Sequence, residues 1–278
     1  MPELPEVETI ARGLAKRVTG DTIESVWLSG SKEPFKSSPQ QIARTLQGAT
    51  IADVRRVGKH IVFDLKETAN PGQRRGAAGF KQWIVHLGMT GRLLVVAPDA
   101  ELPKHTHAIA RLASGRELRF VDPRRFGRLA VVSEKQFAGP GSEPLEIGLD
   151  DFIQLFRSRK TPIKSALLNQ KLLHGVGNIY ADESLFRAGI RPTRRAALLT
   201  RGDLERLHKA VKQVLREAIK VGGSSVSDYV DSEGREGFFQ LQHRVYLRTG
   251  EPCLVCGTPI KRTIVAGRGT HYCPKCQK

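Results

Sequence analysis

Apolar positions near the start of the chain recur at helical spacing. Val7, Ile10, Ala11, Leu14 and Val18 fall on one face of a helix predicted over 5–18. Pro5 suits its first turn, and Gly20 ends it. From Thr22 to about Ser133 the repeat shortens to that of strands. TIESVW, IADVRRV, HIVFDL, QWIVHL, RLLVVA, AIARLA, ELRFV and RLAVV read as short strands parted by turn residues, which predicts a β-sandwich or barrel. One interruption, ANPGQRRGAAG, reads as a mobile basic loop. Residues 136–150 contain GPGSEP and read as a linker.

Helical patterning then resumes. Helices are predicted over 151–157 and 162–171, and a third, capped by Asn178, runs through IYADESLF to Gly189. The clearest helix opens on Thr200 with a T-x-x-D cap. Leu204, Leu207, Val211, Val214, Leu215, Ala218 and Ile219 form its apolar stripe, and Gly222 stops it. Residues 224–239 are polar and read as a loop, and 244–278 as a compact terminal module.

Charge narrows the partners. The 278 residues carry 45 Lys and Arg against 28 Asp and Glu, a net charge of +17, which favours a polyanion: nucleic acid or an anionic membrane surface. The membrane is the weaker choice. No apolar run approaches the ~20 residues of a spanning helix, and MPELPEVETI lacks the regions of a signal peptide. A reducing cytoplasm is the expected setting. Charge alone does not separate this reading from an ordinary basic soluble protein.

The cysteines add chemistry. All four lie after position 250, as Cys253-x2-Cys256 and Cys273-x2-Cys276. This is zinc-ribbon spacing, and a disulfide framework would spread its cysteines along a secreted chain. Four thiolates close a tetrahedral site, so one structural Zn2+ with no open position is expected. A hairpin carrying Arg268 into a DNA groove competes here with a merely solvated basic face.

The start of the chain offers a nucleophile. Removal of Met1 would expose the secondary amine of Pro2, next to Glu3. An α-amino group has a pKa near ~7.7–8.0, against ~10.4 for lysine, so a useful fraction is unprotonated near neutrality. Attack on a sugar anomeric carbon gives an iminium, an electron sink for later elimination. A helix beginning at Pro5 would hold both residues and disfavour the protonated amine. Met-Pro alone is common without any catalytic meaning.

Taken together, PELPEVET, the β-rich half, HGVGNIYADESLF and the four-cysteine ribbon resemble the formamidopyrimidine-DNA glycosylase family along essentially the whole chain. The resemblance implies an α+β fold: an N-terminal β-sandwich with an N-terminal helix, a helix–two-turn–helix domain and a C-terminal zinc-ribbon hairpin. Domains are expected at 2–135, 151–240 and 244–278, with 136–150 as linker. It implies a monomeric enzyme of base excision repair. Such an enzyme removes oxidised purines (8-oxoguanine, formamidopyrimidines) from duplex DNA and cuts the strand by β,δ-elimination.

The resemblance also implies roles. Pro2 attacks C1′, Glu3 protonates the deoxyribose, Lys59 transfers a proton in β-elimination, and Arg268 grips phosphate and serves δ-elimination. Met89, Arg124 and Phe126 fill the gap left by an extruded nucleotide, with Arg124 facing the opposite base. His105, Arg159 and Asn178 contact phosphate, and Lys164 lies near the lesion. The zinc ligands are Cys253, Cys256, Cys273 and Cys276, and 224–239 would close over the purine. From the residues alone, Met89 and Phe126 read as core, and the basic residues equally as surface.

Two departures stand out. Leu247 occupies a position where the family commonly has glycine, and the insert around 73–79 lengthens a basic loop. Two alternatives remain. One is an endonuclease VIII-like enzyme for oxidised pyrimidines, a branch that more often starts PEGPE. The other is a non-catalytic zinc-ribbon DNA-binding protein, which leaves Pro2 and Glu3 without a role.

Overall fold

The computed structural model describes residues 1–31, 33–67, 81–133, 136–225, 235 and 237–278. The basic insert and most of the 224–239 loop lie outside the described residues. Two compact units are formed, Met1–Ala138 with Ser224–Gly237, and Gly139–Gly223 with Phe238–Lys278.

The first unit runs α1 (Leu4–Val18), β1 (Ile23–Leu28), α2 (Pro39–Leu46), β2 (Ala49–Val57), β3 (His60–Glu67), β4 (Lys81–His86), β5 (Arg92–Val96), β6 (Thr106–Leu112), β7 (Glu117–Val121) and β8 (Arg128–Val132). The strands form two antiparallel four-stranded sheets, ordered β1-β6-β7-β5 and β2-β3-β4-β8. Each predicted strand is present. Their inward residues, among them Ile51, Phe63, Trp83, Leu118 and Phe120, share one core with the apolar face of α1. That shared burial keeps α1 and its N-terminus seated on the sandwich.

Helix α2 was not anticipated from the sequence. Its signal is local: Ser38 Oγ accepts the Gln41 N–H at 3.2 Å, and Pro39 sits in the first turn. Only Ile42 and Leu46 of this helix are buried, so no long stripe announces it.

The second unit holds α3 (Leu149–Phe156), α4 (Ile163–Leu167), α5 (Asn178–Ala188), α6 (Arg201–Lys220) and a hairpin of β9 (Lys261–Val265) and β10 (Arg268–Tyr272). The Thr200 cap forms as expected. Its Oγ accepts the Asp203 N–H at 3.1 Å, and Asp203 accepts the Thr200 N–H at 3.0 Å. Two expectations are corrected. The helix predicted over 162–171 ends at Leu167, because Asn169 turns the chain: its side chain accepts the Lys171 N–H at 3.0 Å. Asn178 is the first residue of α5, and Gly177 takes the cap position.

Leu247 adopts φ +62°, the left-handed region where a Cβ is strained, and its side chain is exposed. Replacing it by glycine removes that strain and adds freedom to the unfolded chain. Leu247→Gly is therefore expected to raise stability by roughly 0.5–1 kcal/mol, seen as a higher melting temperature. An unchanged or lower melting temperature would show that the leucine side chain contributes more than its backbone costs.

Candidate active site

In the first unit, Pro2 and Glu3 are buried immediately before α1, while Met1 is about half exposed. Here the Pro2 nitrogen is an amide, so its lone pair becomes available only once Met1 is cleaved. Glu3 is held by its backbone. Its N–H donates to Glu6 Oε2 at 2.7 Å, and Glu6 Oε1 accepts the Ser224 N–H at 2.8 Å. Glu6 is 2% exposed, so one buried carboxylate ties the start of α1 to the first residue of the 224–239 segment. The sequence reading passed over Glu6, although it stands three residues after Glu3, where a capping box places its acid.

Lys59 lies in the two-residue turn of the β2–β3 hairpin, where Val57 pairs with His60 and Gly58 has φ +60°. It is largely buried. The strand leading to that turn is tied to α1: Arg56 Nε donates to Glu8 Oε2 at 2.7 Å and its Nη1 to Gly58 O at 3.2 Å. The hairpin carrying Lys59 is thus fixed to the helix that carries Pro2 and Glu3.

Met89 and Phe126 sit on two turns, one from β4 to β5 and one from β7 to β8. They are 41% and 47% exposed, which removes the core reading for both. The guanidinium of Arg124 lies 4.7 Å from the centre of the Phe126 ring. An arginine stacked this way offers its donors at its edge. Arg125 between them has φ +56°, and His105, also exposed, has φ +68°. Burial, aided by His60, Lys59 and Arg128, pushes the His86 imidazole down to about 4. His86 is therefore neutral at pH 7, and its Nδ1 accepts the Gly88 N–H at 3.1 Å, shaping the Met89 turn.

In the second unit, the β9–β10 hairpin closes on Ala266 and Gly267, both with positive φ, as a two-residue turn requires. Arg268 follows directly and is exposed. Behind it, Gly269 O accepts from Asn178 Nδ2 at 3.0 Å and from Lys164 Nζ at 2.9 Å. Lys164 is fully buried, and its ammonium also meets Thr270 Oγ1 at 2.8 Å and Asp182 Oδ1 at 2.7 Å. Lys164, expected near the lesion, thus has its ammonium engaged by these three partners away from solvent. Asp182, likewise fully buried, accepts the His271 N–H at 2.8 Å with its other oxygen. The sequence reading missed it because one acid on a helix face looks like any other. Arg159 is exposed beyond α3.

The four cysteine sulfurs lie within 4.8 Å of one another. Cys253 and Cys276 are 3.9 Å apart, and Cys256 and Cys273 3.5 Å. Neither distance is a disulfide, and both bracket the ~3.8 Å expected around a tetrahedral zinc with ~2.3 Å bonds. Burial and the neighbouring sulfurs push the Cys276 thiol up, so four thiolates need a cation between them. The donor set fits one structural Zn2+, which would fix the hairpin and leave no position for substrate.

Comparison with known proteins gives matches along the chain. Residues 1–129 match the formamidopyrimidine-DNA glycosylase N-terminal domain, 139–230 its H2TH domain, and 250–278 the zinc finger found in FPG and IleRS. A formamidopyrimidine-DNA glycosylase of Solibacter usitatus is 48% identical over 283 residues, covering all of both chains. Among solved structures, a variant of Lactococcus lactis FPG in complex with Fapy-dG DNA superposes with a TM-score of 0.88. It is 35% identical, with both chains fully covered. The MutM (FPG) protein of Thermus thermophilus gives 0.84 at 40% identity, over 99% of this chain and 98% of its own. The sandwich, the helical element and the ribbon are thus all shared, and the chain belongs to the formamidopyrimidine-DNA glycosylase family.

Proposed function

We propose that the chain is a bifunctional DNA glycosylase and AP lyase of base excision repair, acting as a monomer on oxidised purines in duplex DNA. The observation that carries this reading is the placement of Pro2 and Glu3, buried together at the start of α1 and tied down through Glu6. After removal of Met1, the Pro2 amine attacks C1′ and the damaged base leaves with a proton. Glu3 protonates the deoxyribose oxygen, so the ring opens and a cationic iminium forms on Pro2. That iminium acidifies the adjacent sugar protons. Lys59, on its tethered hairpin, moves a proton as the 3′ phosphate departs. A second elimination releases the 5′ phosphate, with Arg268 on the oxygens of the backbone.

Reaching C1′ requires an extruded nucleotide. Met89 and Phe126 are the exposed apolar side chains for the vacated space, and Arg124 reads the base opposite, favouring cytosine. His105, Arg159 and Asn178 hold phosphates. Lys164 positions Arg268 through the Gly269 carbonyl without touching DNA. Relatives are bacterial, and no described helix is long and apolar enough to cross a membrane. We place the enzyme in the bacterial cytoplasm, at the nucleoid.

The test is excision from matched duplexes carrying 8-oxoguanine or an oxidised pyrimidine, opposite each of the four bases. Release of the purine lesion, fastest opposite cytosine, is expected. Faster release of the pyrimidine would move the chain to the endonuclease VIII-like reading, and binding without release would support the non-catalytic one.

A further inference from the structure

Met89 and Phe126 act on one site from two separate turns, so something must fix their spacing. The first link is backbone contact. A Cβ at Gly88 would lie 2.5 Å from the Gly127 nitrogen and the Phe126 carbonyl carbon. One at Gly127 would lie 2.5 Å from the Phe120 ring and 3.0 Å from His86 O. The two turns touch at paired glycines because no side chain fits there.

The second link is a single carboxylate. Asp122 is fully buried at the end of β7. Its Oδ1 accepts the Thr90 hydroxyl at 2.6 Å and the Arg124 N–H at 3.3 Å, and its Oδ2 accepts the Gly127 N–H at 2.7 Å. Thr90 belongs to the Met89 turn, whereas Arg124 and Gly127 flank Phe126. The carboxylate is itself anchored. The Asp122 N–H donates to His105 O at 3.0 Å, and its carbonyl lies 3.1 Å from His107 Nε2.

A buried carboxylate is costly to desolvate and is kept where its hydrogen bonds are satisfied. Here the three donors to the carboxylate all lie in the two turns that carry the exposed trio. We infer that Asp122 is a positioning residue for base eviction, and that the Thr90–Asp122 bond locks the Met89 turn to the Arg124–Phe126 turn. The inference rests on the glycosylase reading above and adds the device that makes three side chains one wedge. Chemistry on a sugar that is already unstacked does not need the lock; opening a stacked duplex does.

The experiment measures two rates on each variant of the full-length enzyme. Eviction is followed by stopped-flow fluorescence of 2-aminopurine placed beside 8-oxoguanine in a duplex. Chemistry is followed by single-turnover cleavage of a single-stranded abasic oligonucleotide. Thr90→Val removes the inter-turn bond and keeps the side-chain shape, Thr90→Ser restores it, and Asp122→Asn places an amide donor against backbone donors. The ratio of eviction to cleavage is expected to fall about tenfold in T90V and D122N and to recover in T90S. Melting curves identify any variant that fails to fold, and T90V, at a residue that is only partly buried, carries the test if D122N fails. An unchanged ratio in T90V overturns the inference, as does a parallel fall of both rates. If the wild-type protein neither evicts nor cleaves, the glycosylase reading itself has failed.

Discussion

An enzyme that keeps Met1 is expected to bind lesion duplex and leave it uncut. In that chain the Pro2 nitrogen is an amide whose lone pair is delocalised, so it neither attacks C1′ nor forms an iminium. The phosphate contacts of the basic surfaces do not depend on that amine. A protein retaining Met1, or extended by a few residues, should hold DNA within a few-fold of the processed form while cleavage falls by at least ~10³-fold. Pro2→Gly separates the parts further. It restores a free amine, but a primary one on a more flexible backbone, so binding should persist with cleavage well below wild type. Intact mass defines which form is present, and single-turnover gels measure the rate. Efficient cutting by verified Met1-containing protein would place the nucleophile elsewhere, with buried Lys59 the next amine to examine.

Zinc removal has the second large effect. Apparent binding free energies of structural zinc run to ~10–16 kcal/mol, and little of a small ribbon survives without them. The hairpin positions Arg268 and supplies the Gly269 carbonyl and Thr270 hydroxyl that satisfy Lys164. Losing the ribbon therefore leaves a buried ammonium with fewer partners, a penalty beyond the hairpin itself. Chelation or Cys253→Ser should lower affinity for lesion duplex by at least ~100-fold, with released zinc measured by a chromogenic chelator. The first unit has a core of its own and should still melt cooperatively. Zinc-free protein with undiminished affinity would show that the ribbon is dispensable for binding.

Much of this was legible from periodicity and spacing. Helix α1, the eight sandwich strands and the Thr200-capped helix follow from apolar repeats that the core enforces. The cysteine pairs follow from the geometry of four thiolates on one ion. The remainder depends on contacts between distant residues. Asp122 reads as an ordinary turn aspartate until Thr90, 32 positions away, is seen bonded to it. Lys164 looks like a surface cation and becomes a buried one only because Asp182 and the β10 backbone surround it. Met89 and Phe126 carry no mark in the sequence that separates an apolar core residue from an exposed one. Exposure is decided by the turns, and the turns are set by glycines that must touch.

The central claim is that the amine of Pro2 becomes covalently joined to the sugar of the damaged nucleotide. Borohydride reduction during turnover of an 8-oxoguanine duplex, with protein whose mass shows Met1 removed, tests it directly. Digestion and mass spectrometry of the trapped species should place the deoxyribose adduct on the N-terminal peptide, at Pro2. An adduct on a lysine, or active enzyme that cuts the strand and never traps, would contradict it.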